Sequence, residues 1–149
     1  MTVEPLRLLA QLHGHLGWLA AAALVHPAIL LRNPNRKSGL AVALASGLVS
    51  AGALSGALLY GSYRERIKPA LFAVSPTVGW MFERKEHLAF GAATLAWVGV
   101  LGAVAGRRSG DESLRPRFTR AAHLAFIAAS ALATASAILG TWVASVKGF

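Results

Sequence analysis

The chain has 149 residues, 55% of them hydrophobic and only 14% charged, with a mean hydropathy of +0.53. A soluble domain carries about 25% charged residues, so this deficit excludes a disordered tail, a nucleic-acid-binding arm and an ordinary soluble enzyme. The formal net charge of +9 does not reverse that: the 15 basic residues collect in short segments between long apolar runs, the pattern of basic loops at anionic headgroups.

A membrane helix needs about 20 apolar residues. Four runs meet that length: Leu8 to Leu31, Gly39 to Tyr60, His87 to Ala105 and Ala121 to Val146. None contains Asp, Glu, Lys or Arg. Helices are expected because lipid offers no water to an unpaired backbone. The first run is expected to stay in the mature protein. It is too long for the apolar core of a signal peptide, Glu4 offsets Arg7 ahead of it, and three histidines interrupt it.

The first connection, Arg32 to Ser38, is basic (Arg32, Arg36, Lys37) and turns at Asn33-Pro34-Asn35. The second, Gly61 to Glu86, is long; its apolar middle is expected to lie as an interfacial lid, with Trp80 and Phe82 at headgroup level. The third, Gly106 to Arg120, is polar and basic and turns at Ser109-Gly110-Asp111. Short connections make sequential helices antiparallel. The expected fold is all-α: a single integral-membrane domain over residues 1–149, an up-down four-helix bundle.

Four spans put both termini and the long connection on one face, side A, and the two shorter connections on side B. Arg32, Arg36, Lys37, Arg107, Arg108, Arg115, Arg117 and Arg120 lie on side B; Arg7, Arg64, Arg66, Lys68, Arg84, Lys85 and Lys147 lie on side A. The positive-inside rule therefore favours side B as cytoplasmic, by a narrow margin. A multi-pass protein of the bacterial inner membrane is expected.

All five histidines fall within spans: His13, His15, His26, His87 and His123. Intramembrane ionisable groups are costly and usually face the bundle interior or a functional site. Antiparallel threading sets His15 level with His87 near side A, and His26 level with His123 near side B. His15 and His26 are 11 residues apart, about 20° past three turns and about 16 Å along the axis, so they share one face. His13 points about 160° away from His15 and is expected to be structural or interfacial, its functional alternative being a quinone or proton contact on side A. A four-residue repeat joins three of the pairing histidines: His15-Leu16-Gly17-Trp18, His87-Leu88-Ala89-Phe90 and His123-Leu124-Ala125-Phe126. The aromatic at the fourth position can pack beside the imidazole.

With no cysteine, only histidine, carboxylate or backbone can ligate a metal, and the spans hold no carboxylate. Zinc and di-iron sites want carboxylates with the histidines. Two neutral imidazoles on facing helices suit haem iron. Propionates would find Arg84, Lys85, Arg64 and Arg66 on side A, and Arg117, Arg120 and Arg32 on side B. Small residues of the second span (Ala45, Ser46, Gly47, Ser50, Gly52, Ser55, Gly56) and Gly91, Gly99 and Gly102 of the third allow close approach of a helix or a macrocycle. Gly52-x-x-x-Gly56 equally fits a dimer interface.

On these positions the chain resembles the di-haem b-type membrane cytochromes, in which a four-helix core carries one bis-histidine haem near each membrane face and one helix supplies two ligands. The resemblance implies haem b at His15 and His87 and again at His26 and His123. It also implies electron transfer between the quinone pool and another redox protein. The 11-residue spacing is shorter than the usual 13 or 14 of respiratory cytochrome b, and the remaining ligands come from two helices rather than one. Two other functions fit the same chain. One is a non-redox membrane subunit or small transporter using its histidines for protons or metal; the other is a superoxide- or ferric-reacting cytochrome.

Overall fold

The computed structural model describes residues 3–147, and every regular element among them is helical. The helices are α1 (Val3–Leu30), α2 (Gly39–Ser62), α3 (Lys68–Val74), α4 (Pro76–Arg108) and α5 (Arg115–Val146), with a π-helical turn, Tyr63–Ile67, between α2 and α3. Four helical stretches, Glu4–Leu30, Gly39–Val74, Pro76–Arg108 and Arg115–Val146, are long and apolar enough to cross a membrane. They match the four runs expected from sequence, the first ending one residue earlier, at Leu30, and each beginning or ending beyond its run.

The long connection is where expectation and structure part. It is not a lid. Its first half continues α2 through the π turn into α3, and its second half is the start of α4. Proline explains each step. Pro69 has no N–H to offer, and just before it the Lys68 N–H reaches back five residues to the Tyr63 carbonyl, widening the helix into a π turn. Ser75 precedes Pro76 and is extended (φ −165°, ψ 131°), which ends α3; Pro76 then starts α4. Phe82, expected to face the headgroups, is only 2% exposed, in a small core with Ile67, Leu71, Val78 and Val143. Trp80 is 60% exposed and meets Phe72 edge-on at 5.7 Å. Phe72 lies flat on Gly79, where a Cβ would stand 2.5 Å from its ring.

The four long helices pack in a ring ordered α1, α2, α4, α5, and α1 and α4 stand diagonally across it. Contacts between neighbours run in reversed order. Along α1 and α5, Trp18 bonds Thr141, Ser130 bonds the Ala21 carbonyl and His123 bonds the Ala28 carbonyl. Along α4 and α5, Gly91 faces Leu132, Gly99 faces Phe126, Gly102 faces Ala122 and Gly106 faces Thr119. The interior is built from small residues, with Ala20, Leu24, Ala28, Val42, Ala45, Ala96, Ala103, Ala122 and Ala129 around one large side chain, Phe126. The perimeter is apolar: Leu8, Leu12, Ile29, Leu44, Leu54, Phe90, Leu101, Leu124 and Ile138 are all exposed. An apolar outer face of this extent is what lipid accepts and water does not.

Gly99 is the tightest glycine approach between α4 and α5, since a Cβ there would meet the fully buried Phe126 ring at 2.7 Å. Gly99→Ala is expected to destabilise the detergent-solubilised protein by about 1–3 kcal/mol through overpacking. Gly47, with open space beside it, serves as control: Gly47→Ala is expected to be neutral or stabilising by up to about 1 kcal/mol. Thermal or denaturant unfolding followed by circular dichroism measures both.

Candidate functional site

Helical phase decides which histidine enters the bundle. The buried side of α1 carries Leu6, Ala20, Leu24, Pro27 and Leu31. His13 falls seven residues after Leu6 and seven before Ala20, which keeps it on that stripe. His15 is two residues further and His26 eleven beyond that, so both project from the opposite side, and both are exposed. The co-facial relation of His15 and His26 therefore holds, but the face they share points outward. The histidine set apart in the sequence, His13, is the one that points inward.

His13 Nδ1 lies 3.1 Å from the Gly52 carbonyl oxygen and 3.0 Å from Ser55 Oγ. Ser55 donates its own hydrogen to the same carbonyl at 2.8 Å. A carbonyl only accepts, so the bond to Gly52 needs the hydrogen on Nδ1. Nε2 of the neutral ring is then the nitrogen with a lone pair. Gly56 makes the recess: a Cβ there would come within 2.9 Å of the His13 ring. The Gly52-x-x-x-Gly56 motif thus seats α1 against α2 within one chain, with Leu16 Cβ 3.9 Å from where a Gly52 side chain would begin.

Lys85 of α4 lies within electrostatic reach of His13. Its ammonium sits 4.7 Å from the Phe82 ring centroid and 5.5 Å from that of Tyr63, distances at which a ring face attracts a cation. Its stem runs beside Gly140 of α5, and Ser136 donates to the Lys85 carbonyl at 3.2 Å. Toward the bundle end, Glu86 interacts with Lys85, and Lys68 pairs with Glu83. All four long helices therefore contribute to one polar cluster in the half of the bundle near α3. Lys85 is part of this interior group, whereas its neighbour Arg84 is exposed.

Three of the remaining histidines, His15, His87 and His123, satisfy one nitrogen on backbone. His15 Nδ1–H donates to the Gln11 carbonyl at 2.7 Å and His87 Nδ1–H to that of Glu83 at 2.8 Å, each within its own helix turn. His123, half-buried, donates across to Ala28 at 2.7 Å. Bis-histidine ligation requires two Nε2 atoms facing one iron. His15 and His87 stand on diagonal helices and both are exposed. His123 is turned toward Ala28, while His26, two residues before Ala28, projects about 160° away from it. Neither pair closes, so these residues do not fit two haems held inside this bundle. Among the described residues, no three His, Asp or Glu side chains gather around a point.

The basic residues also separate. Arg120 lines a cavity of about 350 Å³ with Arg32 and His123, and Arg117 is exposed outside it. The small residues of α2 divide between two surfaces. Ala45, Gly52 and Ser55 face inward, while Ser46, Gly47 and Ser50 line a groove of about 520 Å³ against Trp97 and Val104 of α4. Arg107 closes the end of that groove and bonds Ser38 Oγ at 3.1 Å.

The signal for His13 was present in the sequence as the seven-residue spacing Leu6, His13, Ala20, Pro27. Lys85 had only Phe82 three residues before it as a sign of an inward turn. Replacing the inward histidine removes a donor from Gly52 and empties the recess over Gly56. His13→Ala is expected to cost about 1–3 kcal/mol, and His15→Ala and His87→Ala less than about 0.5 kcal/mol. Unfolding in detergent distinguishes the two classes. Comparison with protein-family models, with characterised proteins and with solved structures finds no match.

Proposed function

We propose that the chain is a multi-pass membrane protein, an up-down four-helix bundle, whose working group is the inward-facing His13. In this reading it is a non-redox membrane subunit or small transporter that binds and releases a proton at that histidine. The reversed order of contacts between neighbouring helices supports the topology. The apolar perimeter supports insertion, and the loop charges favour side B as cytoplasmic, in a bacterial inner membrane.

The observation that carries the functional reading is His13 held by Gly52 and Ser55 inside an otherwise apolar bundle, with Lys85 beside it. Ionisable groups at such depth are costly and are usually functional. The bond from Nδ1–H to Gly52 orients the ring and leaves Nε2 to take a proton. Charge on His13 is coupled to charge on Lys85, so loading one alters the other. Toward α3, Lys68 and Glu83 form an ion pair beside this group. Beyond His13 the apolar core is formed by Ala20, Leu24, Ala96, Phe126 and Ala129. Transport past this core requires helix movement, and a proton-linked switch requires none.

One observation favours electron transfer as the second reading. His15, His87 and His123 each commit Nδ1 to a carbonyl, which leaves Nε2 open, as in metal-ligating histidines. With His15, His26 and His87 on the outer face, haem b would have to be shared with another subunit, a second copy included. Quinone or quinol and a redox protein would then be the partners, or superoxide or ferric iron the substrate.

Purified protein in liposomes loaded with a pH-sensitive dye tests the first reading. An imposed pH gradient is expected to relax through the wild type and about tenfold more slowly through His13→Ala, the order of effect of losing a positioned proton carrier. Equal rates exclude the transporter form of this reading. Stoichiometric haem, measured by pyridine haemochrome on the same sample, transfers the case to the second reading.

A further inference from the structure

We propose that the cavity between the end of α1 and the start of α5 binds a phosphate group. It has a volume of about 350 Å³ and is lined by Leu31, Arg32, Pro34, Thr119, Arg120 and His123, with Pro116 at its edge. Two walls of different origin converge on it. One is the turn that leaves α1, fixed by bonds from Arg32 to the Ile29 carbonyl and from Asn33 to that of Leu30. The other is one face of α5, on which residues 116, 119, 120 and 123 recur at helical spacing.

The charges on these walls are of one sign. No carboxylate lines the cavity, and among the described residues the single ion pair, Lys68 with Glu83, is elsewhere. The acids of the nearby connection are Asp111 and Glu112. The Asp111 carboxylate accepts the Ser113 N–H at 2.8 Å within its own turn. Arg32 and Arg120 are exposed to the cavity rather than matched to acid, and the bond from His123 Nδ1 to Ala28 leaves Nε2 for a ligand. Like charges gathered in this way repel, and an anion between them reverses the sign of the interaction. Guanidinium forks favour phosphate oxygens, which they can engage in bidentate pairs. Leu31, Pro34 and Pro116 supply apolar sides suited to the ester portion of a phosphodiester. The cavity lies where a helix reaching across the bilayer meets the headgroups, so the phosphate comes from a lipid headgroup or from free phosphate in the adjoining water. The assignment does not depend on what His13 does.

Native mass spectrometry of the detergent-purified protein with phosphatidylglycerol and phosphatidylcholine tests the lipid source; thermal stabilisation by inorganic phosphate tests the soluble one. The wild type is expected to retain phosphatidylglycerol. Arg32→Gln with Arg120→Gln is expected to lose it by about tenfold or more, and Lys37→Gln, which removes a side-B charge outside the cavity, is expected to keep it. Stabilisation by phosphate without lipid retention, lost in the same double variant, supports the site with a soluble ligand. If circular dichroism shows the double variant misfolded, Arg120→Gln alone takes its place. The proposal is overturned if the wild type responds to neither ligand, or if the folded arginine variant responds as the wild type does.

Discussion

Close approach of the long helices over alanine and glycine is the constraint from which the rest of the structure follows. In lipid there is little hydrophobic drive between helices, and association rests on van der Waals contact and on hydrogen bonds between them. Gly91, Gly99, Gly102 and Gly106 bring α4 against α5, and Gly52 and Gly56 bring α1 against α2. An interior narrowed in this way admits one large side chain, Phe126, in one half and one imidazole, His13, in the other. The bulky residues go to the perimeter. Leu, Ile, Val, Phe and Trp side chains cover the outer surface.

That inversion explains what the sequence revealed and what it concealed. The four helices were legible because each excludes Asp, Glu, Lys and Arg over the length of a bilayer. The angular relation of His15 to His26 was legible because eleven residues return a helix to nearly the same face. Which face that was could not be read from hydropathy, since both sides of α1 are apolar. Size does not separate them either: Leu6, Ala20, Ala21 and Leu24 lie inside, and Leu12, Leu19, Ala22 and Ile29 outside. In the long connection, Pro69 and Pro76 looked like loop punctuation. Each instead occupies the first turn of a helix, where a missing N–H costs nothing. Phe82, placed at the interface by its aromatic character, is buried because the helical hairpin around Ser75 forms a small core of its own.

The two halves of the bundle differ in a way that bears on function. Near α3 the interior holds His13, Ser55 and Lys85, ringed by Tyr63 and Phe82. The other half is closed by alanine, leucine and Phe126, and its polar groups lie at the end, in the arginine-lined cavity. One half holds an interior imidazole and ammonium; the other carries positive charge at its surface. The π turn at Tyr63–Ile67 lies beside the first of these, in the helical stretch that supplies Gly52 and Ser55. Such turns carry weaker, wider hydrogen bonding than the α-helix around them and are frequent at functional sites.

Four of the histidines fall into two sets, one facing the interior and one facing outward. His13 is complete within one chain: its hydrogen-bond partners, its recess and its cationic neighbour all come from the same four helices. His15, His26 and His87 are incomplete, because the open nitrogens of His15 and His87 and the whole ring of His26 look away from the bundle. A proton needs only the first set. A haem needs the second set and something more, since a single outward imidazole leaves iron with one axial ligand and the porphyrin with one wall. The use of these groups therefore turns on association: a single bundle encloses His13 and Lys85, whereas the outward His15, His26 and His87 would need another subunit facing them to complete a ligand set.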